Sequence, residues 1–160
     1  VDLTDLIKSL HLLEFDKPDN EEDALIKVIL NSAGGDPYLA LAAYDAIVAC
    51  SCPVEIRAIG RVMSGGTIIL QAGDYRYSYP NTTFMIHKGT IDLSEMTVSD
   101  ATIETNESNR VVVKMLDIYE ETMTIPRKKI EELMEKDTFM DATRAKKLGL
   151  VEKVASVFDS

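Results

Sequence analysis

The sequence is poor in the residues that build metal centres. Its 160 residues include only two cysteines and two histidines. Cys50 and Cys52 are one residue apart, and neither another cysteine nor a nearby histidine could complete a four-ligand zinc site. We therefore expect no metal and no cofactor. Both thiols are interpreted as small buried groups in a reducing, cytoplasmic compartment.

Basic charge and long apolar runs are also scarce. Lys and Arg number 17 against 27 Asp and Glu, giving a formal net charge of -10, whereas a nucleic acid or an anionic membrane requires a basic protein surface. The longest apolar run, residues 39–50, is too short to cross a bilayer and contains Asp45. We expect no signal peptide within this sequence, and it contains no linker rich in Pro, Gly or Ser. We expect one domain over residues 1–160, with neither a nucleic-acid nor a membrane partner.

What the sequence does contain is an alternation of short apolar runs and helical periodicity, which is typical of an α/β fold. Residues 25–30 predict a strand buried on both faces of a parallel sheet, and residues 54–59 predict a second strand. A Gly-Gly turn and a helix follow each of them. Other predicted strands are 75–79, 83–86 and 150–154, and the predicted helices are 3–13, 38–50, 67–72, 99–123, 126–135 and 141–148. Residues 14–23 are predicted to form a loop.

The second Gly-Gly turn follows Ser64, within the segment GRVMSGGTIIL at residues 60–70. A serine at a strand-to-helix turn can present its hydroxyl outward, beside the free N–H groups of the first helical turn. Glycines after it allow a substrate carbonyl to approach the N–H groups that would hold an oxyanion. A serine before Gly-Gly is also common as a helix N-cap, which is the more frequent use of such a turn taken alone.

The first Gly-Gly turn and His87 complete the candidate chemistry. Gly34-Gly35 could cradle a phosphate, but the turn lacks the Lys-Ser/Thr of a P-loop and the third glycine of a dinucleotide site. His87 directly follows the predicted strand at residues 83–86, where an imidazole is a candidate general base.

Four segments in this order and spacing resemble the signatures of the Clp protease proteolytic subunit family, ClpP. They are residues 31–35 (NSAGG), 60–66 (GRVMSGG), 80–87 (PNTTFMIH) and 136–142 (KDTFMDA). The resemblance implies the ClpP/crotonase fold, a spiral of β-β-α units with a projecting long helix. It also implies a serine endopeptidase that hydrolyses unfolded proteins or peptides inside a homo-oligomeric chamber of stacked heptameric rings, with an AAA+ unfoldase as a possible partner.

The same resemblance assigns the site residues. Ser64 would be the nucleophile, His87 the base and Asp137 the acid that orients the imidazole, with the N–H groups of Gly35 and Gly65 holding the oxyanion. The order Ser, His, Asp differs from the Ser, Asp, His order of α/β-hydrolases. Asp141 also matches the composition of an orienting acid, but it directly precedes a predicted helix, and we expect it to cap that helix.

The sequence departs from the family at several positions. Ala33 stands in place of proline, Val62 in place of a small residue, Gly65 in place of methionine, and Lys88-Gly89 in place of Gln-Pro. The last change alters the start of a segment that in the family pairs with substrate and interlocks the rings. We also expect the family's N-terminal axial segment to be absent.

Three other functions are compatible with these residues. A non-catalytic ring subunit would retain the fold, although it would be free to lose one of the three triad residues. A crotonase-like acyl-CoA enzyme would need a base such as Glu near the second turn, and none lies between residues 60 and 73. A Ser-Lys peptidase could use Lys88, but that would leave His87 without a role.

Overall fold

The computed structural model describes residues 3–16, 24–90 and 92–155, and over these residues the chain forms six helices and six strands. In chain order they are α1 (Leu3–Phe15), β1 (Ile26–Ser32), α2 (Pro37–Val48), β2 (Val54–Met63), α3 (Gly65–Gln71), β3 (Tyr75–Ser78), β4 (Thr83–Ile86), α4 (Val98–Thr122), α5 (Arg127–Met134), β5 (Thr138–Asp141), α6 (Ala142–Leu148) and β6 (Lys153–Val154). Within those ranges, no helix combines the length and apolar character of a membrane span.

Strand β2 organises the sheet because it pairs with three other strands. Its first half lies between β1 and β3, and its last residues pair with β4, in each case in parallel. Strand β6 adds to β3 in parallel, whereas β5 adds to β4 antiparallel. Gly60 lies where the partner of β2 changes and has φ +66°, a left-handed conformation that favours glycine.

The core is formed by β2, β4 and the helices that pack on them. The largest fully buried side chains are Tyr119, Phe84, Ile56, Ile68, Leu70, Ile86, Ile130 and Met134. Helix α4 enters this core only with its second half, which supplies Val111, Met115, Leu116, Ile118 and Tyr119. Its first half is polar and largely exposed, in agreement with the long helix predicted to project from the body.

Strand β1 differs from its prediction in burial. Its residues alternate between more and less buried, and Ile29 is 59% exposed. The expectation of a strand buried on both faces is therefore wrong. The physical reason is position, because β1 pairs only with β2 among the described strands and so lies at an edge.

Element boundaries account for the remaining differences. Strand β2 continues to Met63, four residues past its predicted end, and β6 has only two residues. Helix α1 extends to Phe15, into the predicted loop of residues 14–23, and the remainder of that loop from residue 17 lies outside the described residues. Strand β5 was not predicted at all.

Helix α6 begins and ends as its sequence predicts. The Asp141 carboxylate accepts a hydrogen bond from the Arg144 N–H at 2.7 Å, which is the N-cap contact. Gly149 ends the helix in the left-handed conformation, at φ +82°.

The cap leads to a stability prediction. Asp141→Ala should lower the free energy of unfolding by about 1 kcal/mol because the Arg144 N–H loses its acceptor. The matched variant Asp141→Asn keeps an acceptor of the same size and should unfold as the wild type does. Denaturant titration of the three proteins measures both effects. Equal stability of the alanine and asparagine variants would contradict the assignment of Asp141 as a cap.

Candidate active site

The candidate site lies where three neighbouring strands begin or end. Ser64 directly follows β2, and His87 directly follows β4, which is parallel to β2. Asp137 directly precedes β5, which is antiparallel to β4 and pairs Thr138 with Ile86. The sheet order β5-β4-β2 therefore brings the three predicted site residues to one edge.

Ser64 adopts a backbone conformation that few non-glycine residues tolerate. Its φ is 51° and its ψ is -126°, a conformation that costs on the order of 1–3 kcal/mol and requires support from its surroundings. Hydrogen bonds to the backbone N–H and to the backbone carbonyl of Ser64 supply that support. The Ser64 N–H donates to the Met85 carbonyl at 2.8 Å, and the Ser64 carbonyl accepts from the Thr67 N–H at 2.8 Å.

The Ser64 side chain does not cap the helix that it precedes. It makes no hydrogen bond to the backbone of α3. Instead, its Oγ lies 2.8 Å from Nε2 of His87. The N-cap interpretation of this serine is therefore wrong for its side chain, and the hydroxyl faces an imidazole that can accept its proton.

The other nitrogen of His87 meets Asp137. His87 Nδ1 lies 2.9 Å from Asp137 Oδ1, and an ionised carboxylate can only accept, so the proton is on Nδ1 and Nε2 is free to accept from Ser64. The Asp137 side chain is 62% exposed and that of His87 is 20% exposed. At such exposure this hydrogen bond adds little to stability, and its effect is to fix the tautomer and orientation of the ring.

The two Gly-Gly turns are in contact beside Ser64. A Cβ on Gly34 would lie 2.7 Å from the Ser64 Cβ and 2.7 Å from the Met63 carbonyl oxygen, so only glycine fits there. The Ser32 hydroxyl accepts the Gly34 N–H at 3.1 Å and supports this turn. Gly35 and Gly65 are adjacent, since a Cβ on Gly65 would lie 3.8 Å from the Gly35 nitrogen. The two residues predicted to donate to the oxyanion therefore line the same cleft as Ser64.

A cleft of about 320 Å³ opens in front of these residues. Ser64, His87, Gly35 and Gly65 line one side of it. Its further walls come from α2, α3 and α4: Tyr38, Ala40, Ile68, Glu104, Ser108, Val111 and Met115. None of these wall residues was predicted to belong to the site. Because α2 and α4 are some sixty residues apart in the chain, only the tertiary structure brings them to one cleft.

The segment after His87 is held at its start. The Lys88 N–H donates to the Met134 carbonyl at 3.0 Å, and the Lys88 ammonium forms an ion pair with Glu135. A lysine held as an ammonium by a carboxylate has no lone pair with which to accept a proton. Residues 88–90 and 92–97 form no strand, so the changed Lys88-Gly89 sequence coincides with the absence of regular strand structure at this position.

The remaining titratable groups are too dispersed to form a metal site in the part of the chain that the structure describes. Over the described residues, no group of three or more His, Cys, Asp or Glu side chains is arranged to hold a metal ion. Cys50 and Cys52 are free thiols, and Cys52 is buried. The groups in contact at the candidate site are the Ser64 hydroxyl, the His87 imidazole and the Asp137 carboxylate, in a row.

Comparisons with known proteins agree on one family. Residues 2–157 match the family described as Clp protease. Two curated relatives are described as ATP-dependent Clp protease proteolytic subunits. That of Deinococcus radiodurans is 32% identical over 151 residues, covering 93% of this chain and 72% of the relative. That of Bdellovibrio bacteriovorus is 33% identical over 153 residues, covering 93% and 70%.

A solved structure of the same family has a similar fold. The structure of a ClpP1 mutant from Listeria monocytogenes matches with a TM-score of 0.86 and 26% sequence identity, covering 98% of this chain and 85% of that chain. The ClpP-like α/β fold expected from the four segments is thereby confirmed. The chain therefore belongs to the Clp protease family, as a peptidase similar to that family's proteolytic subunits.

Proposed function

We propose that this chain is a serine endopeptidase whose nucleophile, base and orienting acid are Ser64, His87 and Asp137. The observation that carries the proposal is the continuous hydrogen-bonded row from Ser64 Oγ through both ring nitrogens of His87 to Asp137 Oδ1. Such a row activates a hydroxyl that is otherwise a weak nucleophile at neutral pH.

The reaction proceeds by acyl transfer. Ser64 Oγ attacks the substrate carbonyl while its proton moves to His87 Nε2, and the resulting oxyanion accepts hydrogen bonds from the Gly35 and Gly65 N–H groups. The tetrahedral intermediate collapses, the C–N bond breaks, and the His87 proton passes to the leaving amine. Water then repeats the sequence on the acyl ester, giving up its proton to His87, and releases the carboxylic acid and the Ser64 hydroxyl.

The relatives support a proposal for the biological substrate and the assembly. Their names describe ATP-dependent proteolytic subunits, so we propose that this chain hydrolyses unfolded protein or peptide segments supplied by an AAA+ unfoldase. We also propose a cytoplasmic, homo-oligomeric particle of two stacked heptameric rings. The exposed apolar side chains on α4, which include Val98 and Ile103, support burial of that helix in an assembly.

The alternative functions are less well supported by the geometry. A non-catalytic ring subunit has no need for a strained Ser64 aligned with His87 at 2.8 Å. A Ser-Lys mechanism would require a neutral Lys88, which instead pairs with Glu135. A crotonase-like enzyme would need a carboxylate base near the second Gly-Gly turn, and this chain has none between residues 60 and 73.

Loss of the nucleophile is the first test of the mechanism. Ser64→Ala should abolish hydrolysis of a fluorogenic peptide and labelling by a fluorophosphonate, because among the described residues Ser64 supplies the only hydroxyl that is hydrogen-bonded to Nε2 of His87. The melting temperature should change little. Ser51→Ala is the matched control, since Ser51 precedes the opposite end of β2 and should leave labelling intact. Undiminished turnover by purified Ser64→Ala would refute the proposal.

The orienting acid gives a second test. Asp137→Asn should lower turnover by as much as roughly ten-thousand-fold, because an amide that donates to Nδ1 stabilises the wrong imidazole tautomer. Its stability should be preserved, since the carboxylate is largely exposed. Asp141→Asn, four residues away, is the matched control and should keep full turnover. Steady-state kinetics on both variants decides the assignment, and the reverse pattern would transfer the role to Asp141.

Assembly can be tested by sedimentation. The wild type should sediment as a species much larger than one chain at micromolar concentration, because Ile103 is 64% exposed on α4 of an isolated chain. Ile103→Glu should shift the protein toward smaller species. Asn106→Glu adds the same charge one turn away without removing an apolar side chain. It should therefore assemble more completely than Ile103→Glu. A wild-type protein that sediments only as monomer would contradict the proposed rings.

A further inference from the structure

A buried row of polar groups adjoins Ser64 on the side away from His87. The Tyr119 hydroxyl lies 2.6 Å from Thr67 Oγ1, and Thr67 Oγ1 lies 2.6 Å from the Ser64 carbonyl oxygen. A carbonyl only accepts, so Thr67 donates its one hydroxyl proton to Ser64. Tyr119 must then be the donor to Thr67. The direction of the whole row is therefore determined.

Both side chains in this row are inaccessible to water. Thr67 and Tyr119 are each 0% exposed. Burial raises the pKa of the Tyr119 hydroxyl, so Tyr119 stays protonated and remains a donor at any pH at which a peptidase works. A hydroxyl buried in an apolar core is unfavourable unless it is paired, and these two satisfy each other. Tyr119 belongs to α4, so the row connects the long helix to the turn that carries Ser64.

The Ser64 carbonyl belongs to the same peptide unit as the Gly65 N–H. The described chain has no cis peptide bond, and a trans peptide is a rigid plane whose C=O and N–H point in opposite directions. A bond that fixes the Ser64 carbonyl therefore also fixes the direction of the Gly65 N–H. Gly65 lines the cleft beside the Ser64 hydroxyl.

We propose that Thr67, held by Tyr119, is a positioning residue for the peptidase reaction. Its hydroxyl anchors the Ser64–Gly65 peptide plane and so aims the Gly65 N–H at the oxyanion of the tetrahedral intermediate. Hydrogen bonds in a row polarise one another, so donation to the Ser64 carbonyl also makes the Gly65 N–H a stronger donor. This inference rests on the proposed serine mechanism and extends it to two residues that never touch substrate.

The position of Thr67 supports a role beyond packing. The Ser64 carbonyl already accepts the Thr67 N–H at 2.8 Å, so the hydroxyl is a second donor to the same oxygen. A valine would fill the same volume at this position. The strained Ser64 conformation, at φ 51°, is the feature that a second donor would hold in place.

The test separates positioning from stability. Thr67→Val is isosteric and removes the hydroxyl, and it should lower kcat for a fluorogenic peptide about tenfold while KM changes by less than about twofold. Thr67→Ser keeps the donor and should retain kcat within about twofold of wild type. Tyr119→Phe leaves Thr67 free to donate to Ser64, so its loss of kcat should be smaller, about threefold.

The double variant Thr67→Val/Tyr119→Phe distinguishes the two explanations. Thr67→Val alone leaves the Tyr119 hydroxyl buried without a partner, which lowers the melting temperature. Removing both hydroxyls should restore the melting temperature toward the wild-type value, while kcat stays as low as in Thr67→Val. Recovery of kcat together with the melting temperature would show that the pair is only structural and would overturn the inference. If Thr67→Val folds poorly, the double variant still tests the inference, because it lacks the same Thr67 hydroxyl and leaves no buried hydroxyl without a partner.

Fluorophosphonate labelling distinguishes failure of this inference from failure of the mechanism. Labelled wild-type protein with an equal labelling rate and kcat in Thr67→Val would overturn the positioning role alone. Wild-type protein that takes no label and cleaves no peptide would overturn the serine mechanism and the positioning role with it. The expected result is a labelled wild type and about tenfold slower labelling of both Thr67→Val and the double variant.

Discussion

The parallel pairing of β2 with β4 is the constraint on which the site depends. Residues Arg61–Met63 of β2 pair with Thr83–Met85 of β4, and the ladder ends where the Ser64 N–H donates to the Met85 carbonyl. Since the strands run in the same direction, the residues that follow them leave the sheet at one edge. A shift of this pairing by one residue would turn the side chains at that edge to the opposite face. The core beneath this ladder, with Val62, Phe84 and Ile86 fully buried, fixes the register.

Exposed and buried polar groups contribute to this site in different ways. The row from Ser64 to Asp137 runs toward solvent, where an exposed polar contact adds little to stability and can be changed without loss of the fold. The contacts of the Ser64 backbone, in contrast, are made inside the protein, with Met85 and Thr67. The chain therefore separates the groups proposed to carry protons from the groups that hold the turn. Substitutions in the first set should affect chemistry, and substitutions in the second should affect both chemistry and folding.

Ser64 and His87 could be singled out from the sequence because their signals are local, whereas the roles of Asp137, Gly35 and Gly65 were predicted only from the resemblance of four segments to a family. A strand followed by Gly-Gly and a helix is visible in a few residues, as is an aspartate directly before a helix. Strand β5 was missed because four residues, Thr138–Asp141, carry no periodicity of their own and gain their structure from β4. The exposed face of β1 was missed because composition does not reveal which strand lies at an edge. The contact between Thr67 and Tyr119 joins residues 52 positions apart, and no local pattern predicts it.

The attachment of Asp137 has a consequence for how activity is lost on heating. Strand β5 has four residues and one neighbouring strand, and short peripheral elements of this kind open at a lower free-energy cost than the core does. A local opening that detaches β5 from β4 would move the Asp137 carboxylate away from His87, while β2, β4 and the Ser64 turn remain folded. With Asp137 as the proposed orienting acid, thermal inactivation should begin as a reversible, sub-global event at temperatures below the cooperative melting of the chain.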